Sequence, residues 1–431
     1  MTDAGVVALA QPRRRSTWFE RLLRERVLDL LRGLQDCALL LREDGESLAV
    51  ATPAAASRST LRACLRINDP AFYRRTALNG SVGAAEAYMD GLWDCDDLVA
   101  LVRILVRNRD RLDAMERGPA RVGGAAMRAW AALRRNTHAG SRRNIAAHYD
   151  LGNEFFRLFL DDNLMYSSAL FASDQESLEV ASARKLERIC DKLELSARTR
   201  VIEIGSGWGG FALHAARHHG CHVTTTTISH EQYQLARSRV AAAGLQDRVE
   251  VLLADYRTLS GRYDRLVSIE MIEAIGHQYL DTYFRKVGEL LTDDGMALIQ
   301  AITIEDHRYA QALRSVDFIK RHVFPGSFIP SLSAMLAAAA RVSDLKLFNL
   351  EDIGPSYALT LRAWRERFLS RREQVRALGY PERFVRMWEF YLAYCEGGFI
   401  ERATGDVQML LTKPAARRRQ FVPLEQHRGA G

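Results

Sequence analysis

Nowhere in the 431 residues do apolar side chains run for the eighteen or so positions that a membrane-spanning helix requires, so no span is expected. No CxxC pair occurs among Cys37, Cys64, Cys95, Cys190, Cys221 and Cys395, which argues against a zinc knuckle or a disulfide framework and fits a reducing compartment. A secretory signal is also missing: "GVVALA" is short, and Arg13, Arg14 and Arg15 follow it instead of preceding it. A cytoplasmic protein is expected. No internal repeat is visible, and no RNA-type aromatic motif. Lysine is absent from residues 1–145, which nevertheless hold 24 arginines against 17 acidic residues, a net +7. Residues 146–411 are net −4, and the remaining tail is net +4. Basic charge at both ends suits an anionic surface, either nucleic acid or anionic lipid, although an arginine-rich composition alone would give the same count.

What is present is the composition of a globular chain, 48% hydrophobic and 26% charged, long enough for two domains. "STWFERLLRERVLDLLRGL" repeats Phe19, Leu22, Leu23, Val27, Leu30, Leu31 and Leu34 at helical spacing, an amphipathic helix that either packs into its own domain or lies on a membrane surface. Residues 118–144 turn rich in Gly, Ala and Arg and read as a linker. Beyond them strands and helices alternate: "TRVIEIG", "CHVTTTTIS", "RVEVLLADY", "YDRLVSIEM" and "GMALIQAITI" are five strands, and "LKLFNLEDIG" and "DVQMLLTKP" supply two more. The expectation is an α/β protein: a doubly wound, Rossmann-like domain at 145–412, preceded by a smaller, mainly helical domain at 1–117 and followed by a basic tail at 413–431.

The turn "VIEIGSGWGG" puts Gly205, Ser206, Gly207, Gly209 and Gly210 directly after the first of these strands, where backbone must turn tightly and approach a ligand. Its letters fit both GxGxxG, a dinucleotide pattern, and ExGxGxG, a pattern for S-adenosylmethionine. A nicotinamide site needs an acid at the end of the second strand, and "TTTTIS" has none before Glu231. Glu203 on the first strand, with Asp255 for an adenine amino group and Tyr256 as its flat neighbour, favours S-adenosylmethionine. The group His214, His218, His219, Cys221 and His222 has ligand spacing in part, but a solvated helix face explains it, and no metal is expected.

Longer stretches carry a family resemblance: "INDPAFYRRTALNGSVGAAEAYMDGLWDCDDL", "HYDLGNEFFRLFLDDNLMYSSALF", "VIEIGSGWGGFA", "TISHEQ", "SIEMIEAIG", "FIKRHVFPGSFIPS" and "YALTLRAWRERF", in consistent order over about residues 60–412. In these the chain resembles the cyclopropane-fatty-acyl-phospholipid synthases and their mycolic-acid relatives. The resemblance implies methylene transfer from S-adenosylmethionine to the double bond of unsaturated phospholipid acyl chains, by a cytoplasmic enzyme peripheral to the membrane that often forms a homodimer. It implies a carbocation deprotonated by a bound bicarbonate. Carried over, the anion's holders are the carboxylate of Glu273, the hydroxyl of Tyr357, the backbone of Ile302, Gln300 where the family has His, and Ser168 where it has Cys. Glu270 is expected only to border the cofactor. Tyr149, Tyr166, Ser167, Thr227, Ser229 and Gln232 join the glycine turn, Asp255 and Tyr256 around the ligand, and Cys395 matches a cysteine the family carries as a proposed active-site residue, with lining of the acyl pocket as the alternative role. The two departures, Ser168 and Gln300, leave methylene- or methyl-branched acyl products open beside cyclopropane. Methylation of a soluble small molecule is the rival activity, and a nucleic-acid module the rival class; no nucleic-acid partner is expected.

Overall fold

The structure, a computed structural model, describes residues 17–51, 61–115 and 151–418. The expected linker at 118–144, Tyr149 and the tail beyond Arg418 lie outside the described residues. The chain enters through α1 (Trp18–Arg32), started by a capping box in which Thr17 Oγ1 accepts from the Glu20 amide and Glu20 accepts from the Thr17 amide. The 3.6-residue rhythm buries Leu23, Val27 and Leu31 on one side. Strands β1 (Ala38–Glu43), β2 (Glu46–Ala51), β3 (Arg62–Ile67) and β4 (Trp93–Cys95) form a small sheet of order β2-β1-β3-β4, interleaved with α2 (Ala71–Met89) and followed by α3 (Leu98–Arg107) and α4 (Arg109–Met115). Helical residues outnumber strand residues in this part, but the four-stranded sheet is its organising element.

The second part contains α5 (Asn153–Arg157), α6 (Leu178–Leu193), β5 (Arg200–Ile204), α7 (Gly210–His219), β6 (His222–Thr227), α8 (His230–Ala242), β7 (Val249–Leu253), β8 (Tyr263–Ile269), α9 (Leu280–Leu290), β9 (Leu291–Ile304), α10 (Asp306–Arg314), α11 (Leu332–Val342), β10 (Lys346–Asp352), α12 (Gly354–Ser370), α13 (Arg372–Ala377), α14 (Glu382–Ile400) and β11 (Thr404–Thr412). The sheet order is β10-β11-β9-β8-β5-β6-β7; β5 to β9 run parallel, and β11 is antiparallel to β9. From β5 the chain winds outward to β6 and β7, then returns to β8 on the other flank. A crevice therefore opens at the carboxyl ends of β5 and β8, the expected place for a ligand in a doubly wound sheet.

The described residues of the first part, 17–51 and 61–115, do not keep a core to themselves. Leu31, Phe72, Trp93 and Leu101 belong to the same buried cluster as Phe155, Trp364, Trp388 and Leu392, so α12 and α14 join the two parts. The closest approach is at Gly397 on α14, where a Cβ would stand 2.7 Å from Val102 Cγ1 of α3. Gly397→Ala is therefore expected to cost about 1–3 kcal/mol by overpacking. Its neighbour Gly398, where a Cβ would meet only Thr404 Oγ1 at 3.7 Å, should instead gain up to about 1 kcal/mol as alanine from helix propensity alone. Thermal denaturation of the two variants distinguishes them: equal melting temperatures would rule out tight α3–α14 packing.

Candidate functional site

The turn between β5 and α7 adopts left-handed backbone at Gly205 (φ +97), Gly207 (φ +48) and Gly209 (φ +86), and at Gly205 a Cβ would also meet Met271 Cγ at 3.1 Å. Beside it Glu203 is buried, accepting from Thr225 Oγ1 at 2.6 Å, and burial lifts its carboxyl to about 7. A ligand ammonium beside Glu203 would favour its ionised form. At the end of β7, Asp255 accepts from Nε and Nη2 of Arg257 at 2.8 and 2.6 Å, which fixes the carboxylate beside the buried Tyr256 ring. Thr227 Oγ1 donates to Gln232 Oε1 (2.7 Å), while Ser229 caps α8 by accepting from the Gln232 amide (3.3 Å). Tyr166 shares a hydrogen bond with the Tyr391 hydroxyl (3.0 Å), and Ser167 Oγ accepts from the fully buried Lys185 at 2.7 Å. These groups form a cradle with carboxylates at Glu203 and Asp255, which fits a cationic, adenine-bearing cofactor.

The strand β8 ends in the feature that distinguishes this site. Glu270 takes a left-handed backbone (φ +48), a conformation costing a non-glycine residue roughly 1–2 kcal/mol. Its amide donates to Gln300 O (2.8 Å), and its carboxylate collects three donors: Ser168 N and Gln300 Nε2 on Oε1, both at 2.8 Å, and the Tyr357 hydroxyl on Oε2 at 2.7 Å. Glu273, one turn on, accepts only the Ile302 amide (2.6 Å), with its Oε2 unpartnered. Asp406 on β11 accepts Gln300 Nε2 at 3.1 Å, with its Oδ1 unpartnered.

Burial raises the proton affinity of all three carboxyls, and the Glu270 charge raises the other two further: Glu273 to about 8, and Asp406 well above the usual carboxylate range. Three donated hydrogen bonds and the nearby Lys185 favour the ionised form of Glu270, against a burial that raises its proton affinity and lowers that of Lys185. Glu273, raised to about 8, holds its proton at neutral pH. Burial and the Glu270 charge also push the Tyr357 hydroxyl well up, so it remains a donor.

A cavity of ≈ 1030 Å³ connects these groups. Its wall includes Tyr166, Ser167, Glu203, Gly205, Ser206, Gly207, Thr227, Gln232, Asp255, Tyr256, Glu270, Glu273, Ile302, Tyr357 and Cys395, and it continues to Leu30, Leu101 and Leu105 of the first part. Gly209, Ser229, Ser168 and Gln300 support the wall from behind. Burial pushes the Cys395 thiol up strongly, so it is a cavity-lining neutral group and not an activated nucleophile. Away from the cavity, Cys190, His214 and His219 bring donor atoms within 4.8 Å of one another, with Glu187 bonded to both imidazoles.

The structure brings the expected donors together, but around a different recipient. Ser168 N, Gln300 and Tyr357, expected to hold a bound anion together with Glu273, are given to Glu270, and Ile302 N is given to Glu273. The residues present therefore do not fit a separate bicarbonate: each of those donors already serves a protein carboxylate, and an added anion would face Glu270 across a buried space. Sequence reasoning gave Glu270 only a place bordering the cofactor, and it passed over Asp406, Lys185 and Arg257. For Glu270 and Asp406 the signal was an acid in an apolar strand, visible in "SIEMIE" and "TGDVQM", but its meaning depends on which strands adjoin.

A family model described as mycolic acid cyclopropane synthetase matches residues 136–409. The chain is 38% identical to a tuberculostearic acid methyltransferase of Mycobacterium tuberculosis, over 84% of each chain. It is 35% identical to a cyclopropane-fatty-acyl-phospholipid synthase of Escherichia coli, over 80% of this chain and 86% of that one. Among solved structures, mycolic acid cyclopropane synthase CmaA1 complexed with SAH and CTAB superposes with a TM-score of 0.59 at 29% identity, covering 63% of this chain and 98% of the other.

The carboxyl cluster imposes a pH dependence on stability. Glu273 binds its proton more tightly folded (about 8) than unfolded (about 4.5), so the folded state holds the extra proton between those values and stability falls as pH rises through that window. Glu273→Gln removes this dependence. Relative to wild type, its melting temperature should be higher at pH 8 than at pH 5, measured by scanning fluorimetry; a constant difference would show that Glu273 does not titrate in this range.

Proposed function

The chain belongs to the mycolic acid cyclopropane synthetase family and is an S-adenosylmethionine-dependent methyltransferase, and on that premise we propose that it modifies the double bond of unsaturated acyl chains in membrane phospholipids. We further propose that Glu270 is the base. The observation that carries this reading is the convergence of three donors on one buried carboxylate in the wall of a largely apolar cavity.

When bound, S-adenosylmethionine supplies a sulfonium methyl carbon, which the alkene π pair attacks as the carbon–sulfur pair departs with sulfur, leaving a carbocation beside the new methyl group. Glu270 then takes a proton from that methyl group, and the freed C–H pair closes the three-membered ring. The rings of Tyr166, Phe324 and Tyr357 line the cavity, and an aromatic face stabilises a nearby cation. Tyr357 and Gln300 keep Glu270 ionised and aimed. A second product has a specific support, the 38% identity to a tuberculostearic acid methyltransferase: if hydride first shifts from the methylated carbon to the cation, loss of the same methyl proton gives an exocyclic methylene.

Glu270→Gln should lower turnover by about 10²-fold or more while leaving S-adenosylmethionine affinity nearly unchanged. The assay incubates the protein with the cofactor and vesicles of unsaturated phospholipid, then reads released fatty acids by mass for one added CH₂ and by NMR for ring or methylene protons. Absence of any mass gain in wild type across several unsaturated lipids would end the acyl-chain reading, and full turnover in Glu270→Gln would end the assignment of the base.

Access to lipid is proposed through α1. Among the described residues no helix is long and apolar enough to cross a membrane. Yet Trp18 (75% exposed), Phe19 (39%) and Leu22 (52%) present an apolar patch beside the exposed Arg21 and Arg26, while Arg26, Val27 and Leu30 line the cavity. The outer face of this helix would seat on an anionic, cytoplasm-facing leaflet with the cavity opening beside it. Replacing Trp18 and Leu22 with Glu should abolish co-sedimentation with vesicles rich in anionic lipid yet preserve turnover on detergent-dispersed lipid; undiminished vesicle binding would remove α1 from this role.

A further inference from the structure

Behind the cavity a line of buried polar side chains crosses from α6 to the site. Lys192 Nζ donates to Gln408 Oε1 (2.9 Å), Gln408 Nε2 donates to Gln300 Oε1 (3.2 Å), and Gln300 Nε2 donates to Glu270 (2.8 Å) and Asp406 (3.1 Å). Gln300 and Gln408 are directly paired residues of the antiparallel strands β9 and β11, both fully buried, and Lys192 is nearly so. The cost of burying this line of amides and an amine calls for an explanation beyond packing.

The explanation lies in its direction. A glutamine amide has a donor end and an acceptor end and by itself does not fix which faces the base. A lysine ammonium only donates, so Gln408 must turn its oxygen toward Lys192 and its NH₂ toward Gln300. Gln300 must then turn its oxygen toward Gln408 and its NH₂ toward the carboxylates. Were Gln300 reversed, its oxygen would oppose the Glu270 carboxylate, and two acceptors would meet without a proton. Glu351, which pairs with Lys192 at 2.5 Å and with Arg188 at 3.1 Å, holds the ammonium at the head of the line.

We propose that Lys192 and Gln408 are positioning residues that orient the Gln300 amide as a fixed donor to Glu270 and thereby keep that carboxylate ionised for proton transfer. The inference rests on the reading of Glu270 as the base. Other groups act on the same carboxylate: Lys185 from α6 and the Ser168 amide and Tyr357 hydroxyl as favourable partners, and Glu273, Asp406 from β11 and Glu203 from β5 as acids. None of these is altered by changing the line at Lys192 or Gln408. Loss of a donated hydrogen bond weakens the ionised form, so the acid limb of activity moves to higher pH.

The test measures kcat against pH in the full-length protein for Gln408→Met, Lys192→Met and Lys192→Arg on unsaturated phospholipid vesicles. Gln408→Met and Lys192→Met should each move the acid limb up by about one pH unit, lowering turnover roughly tenfold on that limb and recovering it at higher pH, with KM for S-adenosylmethionine unchanged. Lys192→Arg, which retains an obligate donor, should restore the wild-type limb. If Lys192→Met does not fold, Lys192→Gln tests the same step, because an amide again leaves the direction unfixed. An acid limb that stays in place in the folded variants, even with a lowered melting temperature, overturns the positioning role. Loss of activity in Glu270→Gln alongside such unmoved limbs would sink only this inference, whereas retained activity in Glu270→Gln would remove the base on which it rests.

Discussion

A carboxylate cannot be taken out of water without donors to replace those it leaves behind, and Glu270 determines much of how this chain converges. Its three donors come from widely separated segments: the stretch before α6, the end of β9, and α12. Bringing Ser168, Gln300 and Tyr357 within 2.8 Å of one side chain requires the sheet order, the return of the C-terminal helices and the loop after α5 all at once. The left-handed backbone at residue 270 is maintained because this network, with the bond from its amide to Gln300 O, outweighs the local strain. The accompanying acids follow from the same constraint. The donors and Lys185 favour the charged form of Glu270, and that charge together with burial raises the proton affinity of Glu273 and Asp406.

The fold was legible because its signals are periodic and local. The alternating strands of 200–304 and the glycine turn specify their elements without help from the rest of the chain. The cofactor cradle was readable for the same reason, since Glu203, Gly205 and Asp255 each stand at a strand end. Long-range pairing was not readable. Nothing local says that Gln408 lies opposite Gln300, that Asp406 stands beside Ile302 in register, or that Lys192 reaches Gln408 from α6. The two acids of "SIEMIE" could be seen as anomalous, but dividing their roles required knowing which donors reach which carboxylate. Family resemblance named Ser168, Gln300 and Tyr357 as donors to an anion, whereas the structure turns them to Glu270; residue-by-residue transfer carries over positions and leaves the charge balance between them unexamined.

The joining of the two parts of the chain bears on substrate. The described residues before 116 share their buried cluster with α12 and α14, and their helices supply one end of the cavity that reaches Glu270. A separate lipid-tethering module would need no such common core. An acyl chain entering past Leu30 and Leu105 would lie between the two parts, so its depth of insertion, and with it the double bond presented to the cofactor, would be set by their packing.

A base tethered to the protein differs from a small bound anion in a way that matters for product. Tethering removes the need to bind and orient a second reactant, and well-oriented intramolecular groups reach effective molarities of about 10⁵–10⁸ M. It also fixes where the proton can be taken. Ring closure and methylene formation both draw that proton from the transferred methyl group; they differ in whether hydride migrates first. Glu270 by its identity therefore does not choose between the products. The choice lies in timing: a carboxylate held ionised and aligned before the cation forms captures the proton early and favours the ring, while one that must first reorient leaves time for migration. The groups that orient Glu270, Tyr357 and the Gln300 amide, thereby become determinants of product as well as of rate.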